Sequence, residues 1–198
     1  MKNLLILLFA ALFSSACLAQ MPTQIAGIKL NSDISEYDDY IKSQTTLPIR
    51  FMEYLDEVEV RRFSDFKSGY IAYGNCAQPG KIVRIKLKYN NSSKKYFENL
   101  LEEYKDQLGK PDEWQGDPFH VVTAWKWSFS EGNNQVDLFL QHNVSDADFK
   151  IGTSMKLTMT NLIEAEKNCF NEKYPDFRKA AKMVTDTKAS DWEGLIPR

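Results

Sequence analysis

KIVRIKLKY, residues 81–89, alternates apolar and mostly cationic side chains along nearly its whole length. In an extended chain Val83, Ile85, Leu87 and Tyr89 fall on one face, and Ile82, Arg84, Lys86 and Lys88 on the other. A strand with one oily and one charged face belongs to a sheet buried on one side only, which is the habit of antiparallel sheets. The fold class follows as α+β, with helices packed on one face of an antiparallel sheet.

Working outward, Asn75 to Gly80 supplies a turn, and before it Val58, Val60 and Tyr70-Ile71-Ala72-Tyr73 have strand character, separated by turn material from Ser64 to Ser68. Ile25 to Leu30 is a short apolar stretch. Asp33 with Glu36 three residues on has the form of a capping box, and Ile34, Tyr37 and Ile41 recur at helical spacing, so a helix is expected there, ended by Pro48. On the other side Asn91-Ser92 caps a helix whose stripe is Phe97, Leu100, Leu101, Tyr104 and Leu108, stopped by Gly109 and Pro111. Phe119 to Phe129 then reads as a strand, with Phe119, Val121, Trp125, Trp127 and Phe129 on one face. The turn Glu131 to Asn134 leads into a partner strand, Gln135 to Gln141. A further strand runs from Lys150 to Thr160 on Ile151, Met155, Leu157 and Met159. A helix capped by Asn161 with Glu164 follows through Leu162, Ala165 and Cys169, and Pro175 restarts it before 177–184. This order predicts two similar α-βββ halves in a single domain, 20–185, with 186–198 as a loose tail tethered at most by Trp192.

The N-terminus has a separate character. Leu4 to Phe13 is an uninterrupted apolar run behind Met1-Lys2-Asn3, followed by the small residues of 14–19, which is the build of a secretory signal peptide at 1–19 and too short for a permanent span. Cleavage after Ala19 leaves a soluble chain starting at Gln20, and this is the route adopted here. The alternative treats Ser15-Ala16-Cys17 as a lipobox and makes Cys17 an acylated anchor in the outer membrane. Either way the mature chain has no transmembrane span and is exported, to the periplasm or beyond.

Both routes leave Cys76 and Cys169 as the unmodified thiols, and an oxidising compartment joins such a pair. A Cys76–Cys169 disulfide would close a long loop, worth up to roughly 4–5 kcal/mol in the chain-entropy model.

The chemistry-bearing motifs are near misses. With 25 basic against 27 acidic residues there is no field for nucleic acid. Gly74 to Gly80-Lys81 has two glycines and a lysine like a phosphate loop, but the spacing is one residue too long, Ile82 replaces the hydroxyl residue and a strand follows. His120 and His142 lack partners at zinc-ligand spacing, and Asp146-Ala147-Asp148 lacks the glycine and closing glutamate of a calcium loop. No cofactor, metal or catalytic motif is indicated.

Leu108-Gly109-Lys110-Pro111, Trp125-Lys126-Trp127 and the strand 136–140 resemble the Leu-Gly-x-Pro element, Trp-containing strand and following strand of small bacterial envelope proteins of the SmpA/BamE-like type. Ile28-Lys29-Leu30 is similar to the start of such modules. The likeness is confined to about 93–142. It implies an assembly or inhibitory binding partner in the cell envelope rather than an enzyme, and it carries over no binding residue.

Two functions are therefore weighed. One is a non-enzymatic envelope protein that holds another envelope protein or a small apolar ligand through its sheet. Its candidate binding residues are the aromatic row Trp125, Trp127 and Phe129 and the basic row Arg84, Lys86 and Lys88. The other is a small exported hydrolase with a site assembled in space around His120 or His142.

Overall fold

A computed structural model describes residues 20–119, 121–143 and 152–175. The signal segment with Cys17, His120, the turn at 146–148, the helix expected at 177–184 and the tail 186–198 lie outside these residues.

The first apolar stretch folds as a small hairpin, β1 (Gln24–Ile25) and β2 (Ile28–Lys29), turned by Ala26 and Gly27 at positive φ. Asp33 does make its capping box, accepting from Ser35 while its own N–H donates to Glu36 Oε1 at 3.1 Å. Yet only a single 3₁₀ turn, Ile34–Tyr37, results. The expected helix is overridden because Tyr40, Ile41 and Lys42 are drawn alongside the next long strand. The Lys42 N–H donates to the Glu59 carbonyl, Arg61 N–H donates to the Tyr40 carbonyl, and Ile41 bridges Val60. Four backbone groups, the Lys42 and Arg61 N–H groups and the Glu59 and Tyr40 carbonyls, find their partners in this pairing.

From that point two runs of antiparallel strands build the sheet. The first comprises β3 (Leu47–Ile49), β4 (Met52–Val60), β5 (Phe66–Gly74) and β6 (Ile82–Tyr89). Helix α1 (Lys94–Leu108) intervenes, with the Ser93 hydroxyl accepting from the Tyr96 N–H at 3.2 Å and Gly109 closing it at φ +81°. The second run is β7 (Glu113–Trp114), β8 (Val122–Glu131), β9 (Asn134–Asn143) and β10 (Thr153–Met159). Helix α2 (Thr160–Lys173) follows β10 without a loop. The strand order is β3-β4-β5-β6-β10-β9-β8-β7, so the last strand of each run meets the other at the centre. Met155 faces Leu87, and Leu157 faces Ile85. The two runs are not a pair of α-βββ units, since the first has four strands and a 3₁₀ turn where a helix was expected.

Register divides the sheet cleanly. One face carries Val58, Ile71, Ile85, Leu87, Met155, Leu157, Leu138, Leu140 and Trp127, all buried. It is covered by Met21, Ile25, Ile28, Leu30, Tyr37 and Ile41 from the N-terminal segment and by Phe97 and Leu101 from α1. The second helix is not on this face. Leu162 and Ile163 of α2 pack on Leu55, Ala72 and Val83, and Ala72 is the cross-strand partner of Arg84, so α2 covers a corner of the opposite face. The expectation of helices on one side only is corrected accordingly. The alternation of 81–89 is also amended at its start. A bulge at Ala72/Tyr73 puts Ile82 into the main core and Val83 into the smaller cluster, the reverse of a strict period of two.

Two other boundaries differ from expectation. Phe119 and Val121 stand outside β8, which starts at Val122; the Asp117 carboxylate accepts from the N–H groups of Phe119 and Val122, and Phe119 is 87% exposed. Asn161 does not cap α2, since its side chain accepts from the Gln135 N–H of β9 at 3.1 Å. Among the described residues no helix is long and apolar enough to cross a membrane.

Candidate functional site

The six residues singled out for binding separate onto two faces. Trp125, Trp127 and Phe129 face Leu140, Leu138 and Val136 on β9, which places the aromatic row on the covered side. Trp127 is buried, its indole N–H donates to the Gly109 carbonyl at 2.9 Å, and the Tyr104 ring of α1 meets it edge-on. Trp125 and Phe129 are partly buried against the same core. This row works as packing that seats α1.

Arg84, Lys86 and Lys88 point to the other face, where α2 packs at one corner and these three side chains are half-buried. The central β6–β10 pairing sets Thr158 across from Arg84, Lys156 across from Lys86 and Ser154 across from Lys88. The next strand adds Asp137 and Phe139, and β8 adds Lys126 and Ser128. Lys156 Nζ lies 4.1 Å from the centre of the Phe139 ring and Lys126 Nζ 5.7 Å from it, so two ammonium groups lie within cation–π reach of one ring. Asp137 is committed, with Lys126 at 3.0 Å and the Ser128 hydroxyl donating at 2.9 Å. Among the described residues Arg84, Lys86 and Lys156 make no ion pair.

The electrostatics record this crowding. Burial is the main cause that holds the Arg84 guanidinium below its usual range, opposed by the Tyr54 phenol and Glu57. Lys156 is likewise lowered first by burial and then by the neighbouring charges of Arg84 and Lys86, with Asp137 pulling the other way. Arg84 Nε and Thr158 Oγ1 are both buried and, among the described residues, have no hydrogen-bond partner. Sequence reading found the β6 row but not Lys156, Thr158, Lys126 and Phe139. Their only signal is that each occupies the non-core parity of its own strand, and joining them requires the strand order.

The near-miss phosphate loop does hold an anion, one from the protein itself. The N–H groups of Cys76 and Ala77 donate to Glu166 Oε2 at 2.7 and 2.9 Å, and that of Gln78 donates to Oε1 at 2.6 Å. Glu166 is 1% exposed. The Cys76–Cys169 disulfide crosses one turn further along the same helix, with Cα atoms 5.9 Å apart. The 74–80 turn is therefore a nest of amides filled by α2's own carboxylate. Beside it lies a cleft of about 390 Å³ lined by Glu53, Asn75, Cys76, Phe170, Lys173 and Tyr174.

His142 is buried on the covered face. Its ring stacks on Phe97 at 5.2 Å, its Nδ1 is 3.0 Å from the Thr153 hydroxyl, and burial lowers its pKa. It has the surroundings of a packing residue. Among the described residues no group of three His, Cys, Asp or Glu stands close enough to hold a metal ion.

No family model, curated protein or solved structure matches the chain.

Proposed function

We propose that this is an exported, non-enzymatic binding protein of the cell envelope that holds another protein against the open face of its sheet. The observation that carries the reading is the division of the two faces. The aromatic row, the one candidate for a small apolar ligand, is spent on the core, whereas the centre of the opposite face presents Arg84, Lys86 and Lys156 around Phe139. A polar, cationic sheet surface around one aromatic ring is unlike the concave, mostly apolar lining of a drug-sized pocket and is suited to a partner of opposite charge. The disulfide supports export, because such bonds persist in oxidising compartments. The likeness to SmpA/BamE-type modules points the same way.

In-cell photo-crosslinking tests it. A photoreactive residue at Tyr70 or Gln141, both on the open face, should capture a discrete protein partner, and one at Glu103 on α1 should not. Capture from Glu103 alone, or from none of the three, overturns the reading. The intact mass of the purified protein fixes its processing: a chain from Gln20 is expected, and an acylated Cys17 would make it a lipid-anchored protein.

A further inference from the structure

Two buried polar atoms without hydrogen-bond partners among the described residues belong to residues directly opposite each other at the middle of the sheet. Arg84 Nε belongs to β6 and Thr158 Oγ1 to β10, and their residues are cross-strand partners. Thr158 is only 6% exposed. A hydroxyl and a guanidinium N–H left unbonded in a protein interior are each costly, so one acceptor within reach of both would relieve both. The Arg84 Nε–H can only donate and the Thr158 hydroxyl can donate or accept, yet no hydrogen bond joins them. Next to them Lys86 and Lys156 form the adjacent cross-strand pair, two like charges facing each other, an arrangement that is unfavourable unless an anion intervenes.

The anions of the protein itself are placed to flank this spot without filling it. Asp137 is held by Lys126 and Ser128 on one side. Glu57 faces Arg84 from across Ala72 on the other, and no ion pair between them is formed. Tyr54 is the third group near the guanidinium. With acids on both flanks the site favours a compact single charge over a multiply charged one. The Phe139 ring, already under Lys156, gives it an apolar neighbour. Arg presents a planar fork that matches a carboxylate in two-point contact.

Resting on the reading of the open face as the binding face, we propose that Arg84, Thr158, Lys86 and Lys156 receive the carboxylate of a Glu or Asp side chain in an acidic segment of the partner protein. The guanidinium donates through Nε and one terminal nitrogen, the Thr158 hydroxyl donates to the same carboxylate, and the two ammonium groups balance its charge.

The test follows the Arg84 Nε–H signal by NMR in the purified, disulfide-bonded protein. The probes are an acetylated, amidated tetraglutamate peptide, its tetraglutamine counterpart and inorganic phosphate. The glutamate peptide should shift the signal saturably and the glutamine peptide should not. Arg84→Lys and Thr158→Val, which conserve charge and shape respectively, should each weaken binding by about tenfold or more, as loss of a charge-assisted bond does. Binding to both variants is read by the shifts of Lys86 and Lys156 amides, and an unchanged set of core methyl signals shows that they fold. Absence of saturation, or equal affinity in both variants, overturns the site. Saturation by phosphate at lower concentration than by the glutamate peptide overturns the carboxylate assignment. If Tyr70 still captures a partner in cells while the titration fails, the carboxylate site falls and the binding face stands; if both fail, both fall.

Discussion

The Glu166 carboxylate accepts the backbone N–H of Cys76 at 2.7 Å, and Cys76 is in turn bonded covalently to Cys169, one helical turn beyond Glu166. The turn between β5 and β6 is thus tied to α2 twice over a short distance, once by charge-assisted hydrogen bonds and once by sulfur. Gly74 is part of the same arrangement, since a Cβ there would come within 2.2 Å of Glu166 Oε1.

Replacing Glu166 by Ala should therefore be costly. It removes the shared acceptor of the three part-buried N–H donors of residues 76–78, and the expected loss is about 2–3 kcal/mol in urea denaturation. Gly74→Ala should destabilise in the same direction by displacing the carboxylate. A loss below about 0.5 kcal/mol for Glu166→Ala would show that the amides are satisfied some other way.

The disulfide closes a separation of 93 residues. The double variant Cys76→Ala with Cys169→Ala should lose roughly 3–4 kcal/mol, with unchanged secondary structure by circular dichroism, because the constraint acts mainly on the unfolded chain. Alkylation of both thiols in an untreated sample would contradict the bond.

Stability should fall on mild acidification because of His142. Its folded pKa is depressed, chiefly by burial, with Glu98 opposing and Lys94 assisting from α1. The unfolded chain therefore takes up a proton first. The stabilisation is complete above the unfolded value of about 6.5 and is lost as pH drops from there toward the lower folded value. A His142→Phe variant, which preserves the stack on Phe97, should flatten that part of the curve; the same slope in the variant would assign it elsewhere.

Gly69 on β5 lies where a Cβ would meet the Lys86 carbonyl oxygen at 2.4 Å and Leu87 Cδ2 at 2.6 Å. Gly69→Ala should thus cost about 2 kcal/mol by forcing β5 and β6 apart, measured as a lowered midpoint of chemical denaturation. A stability equal to wild type would mean that the strands part freely there.

Much of this architecture was legible in the residues. The alternation of 81–89 and the stripe from Phe97 to Leu108 specify a strand and a helix through local chemistry, and the bond between the cysteines followed from there being one unmodified pair, although 93 residues separate them. What was not legible depends on partners remote in sequence. The capping box at Asp33 is real, but Ile41 pairs with Val60 before a helix can grow. Asn161 has cap chemistry, but Gln135 takes it. Ile82 and Val83 exchange places because of a bulge, which is a property of two strands and not of one. The candidate site shows the same limit most sharply. Arg84 was visible as part of a basic row, whereas its pairing with Thr158 exists only because β6 and β10 are neighbours.

That adjacency also governs how the chain can be assembled. Strands β3 to β6 can zip up as they are made, but they finish on β6, whose inner backbone edge stays open until β10, the last described strand, has been synthesised. For that interval β6 is a template for any passing extended chain, and Cys76 must wait for Cys169. Folding is therefore gated by the final strand and helix, and a chain truncated before Thr153 would lose its solubility rather than merely one of its strands.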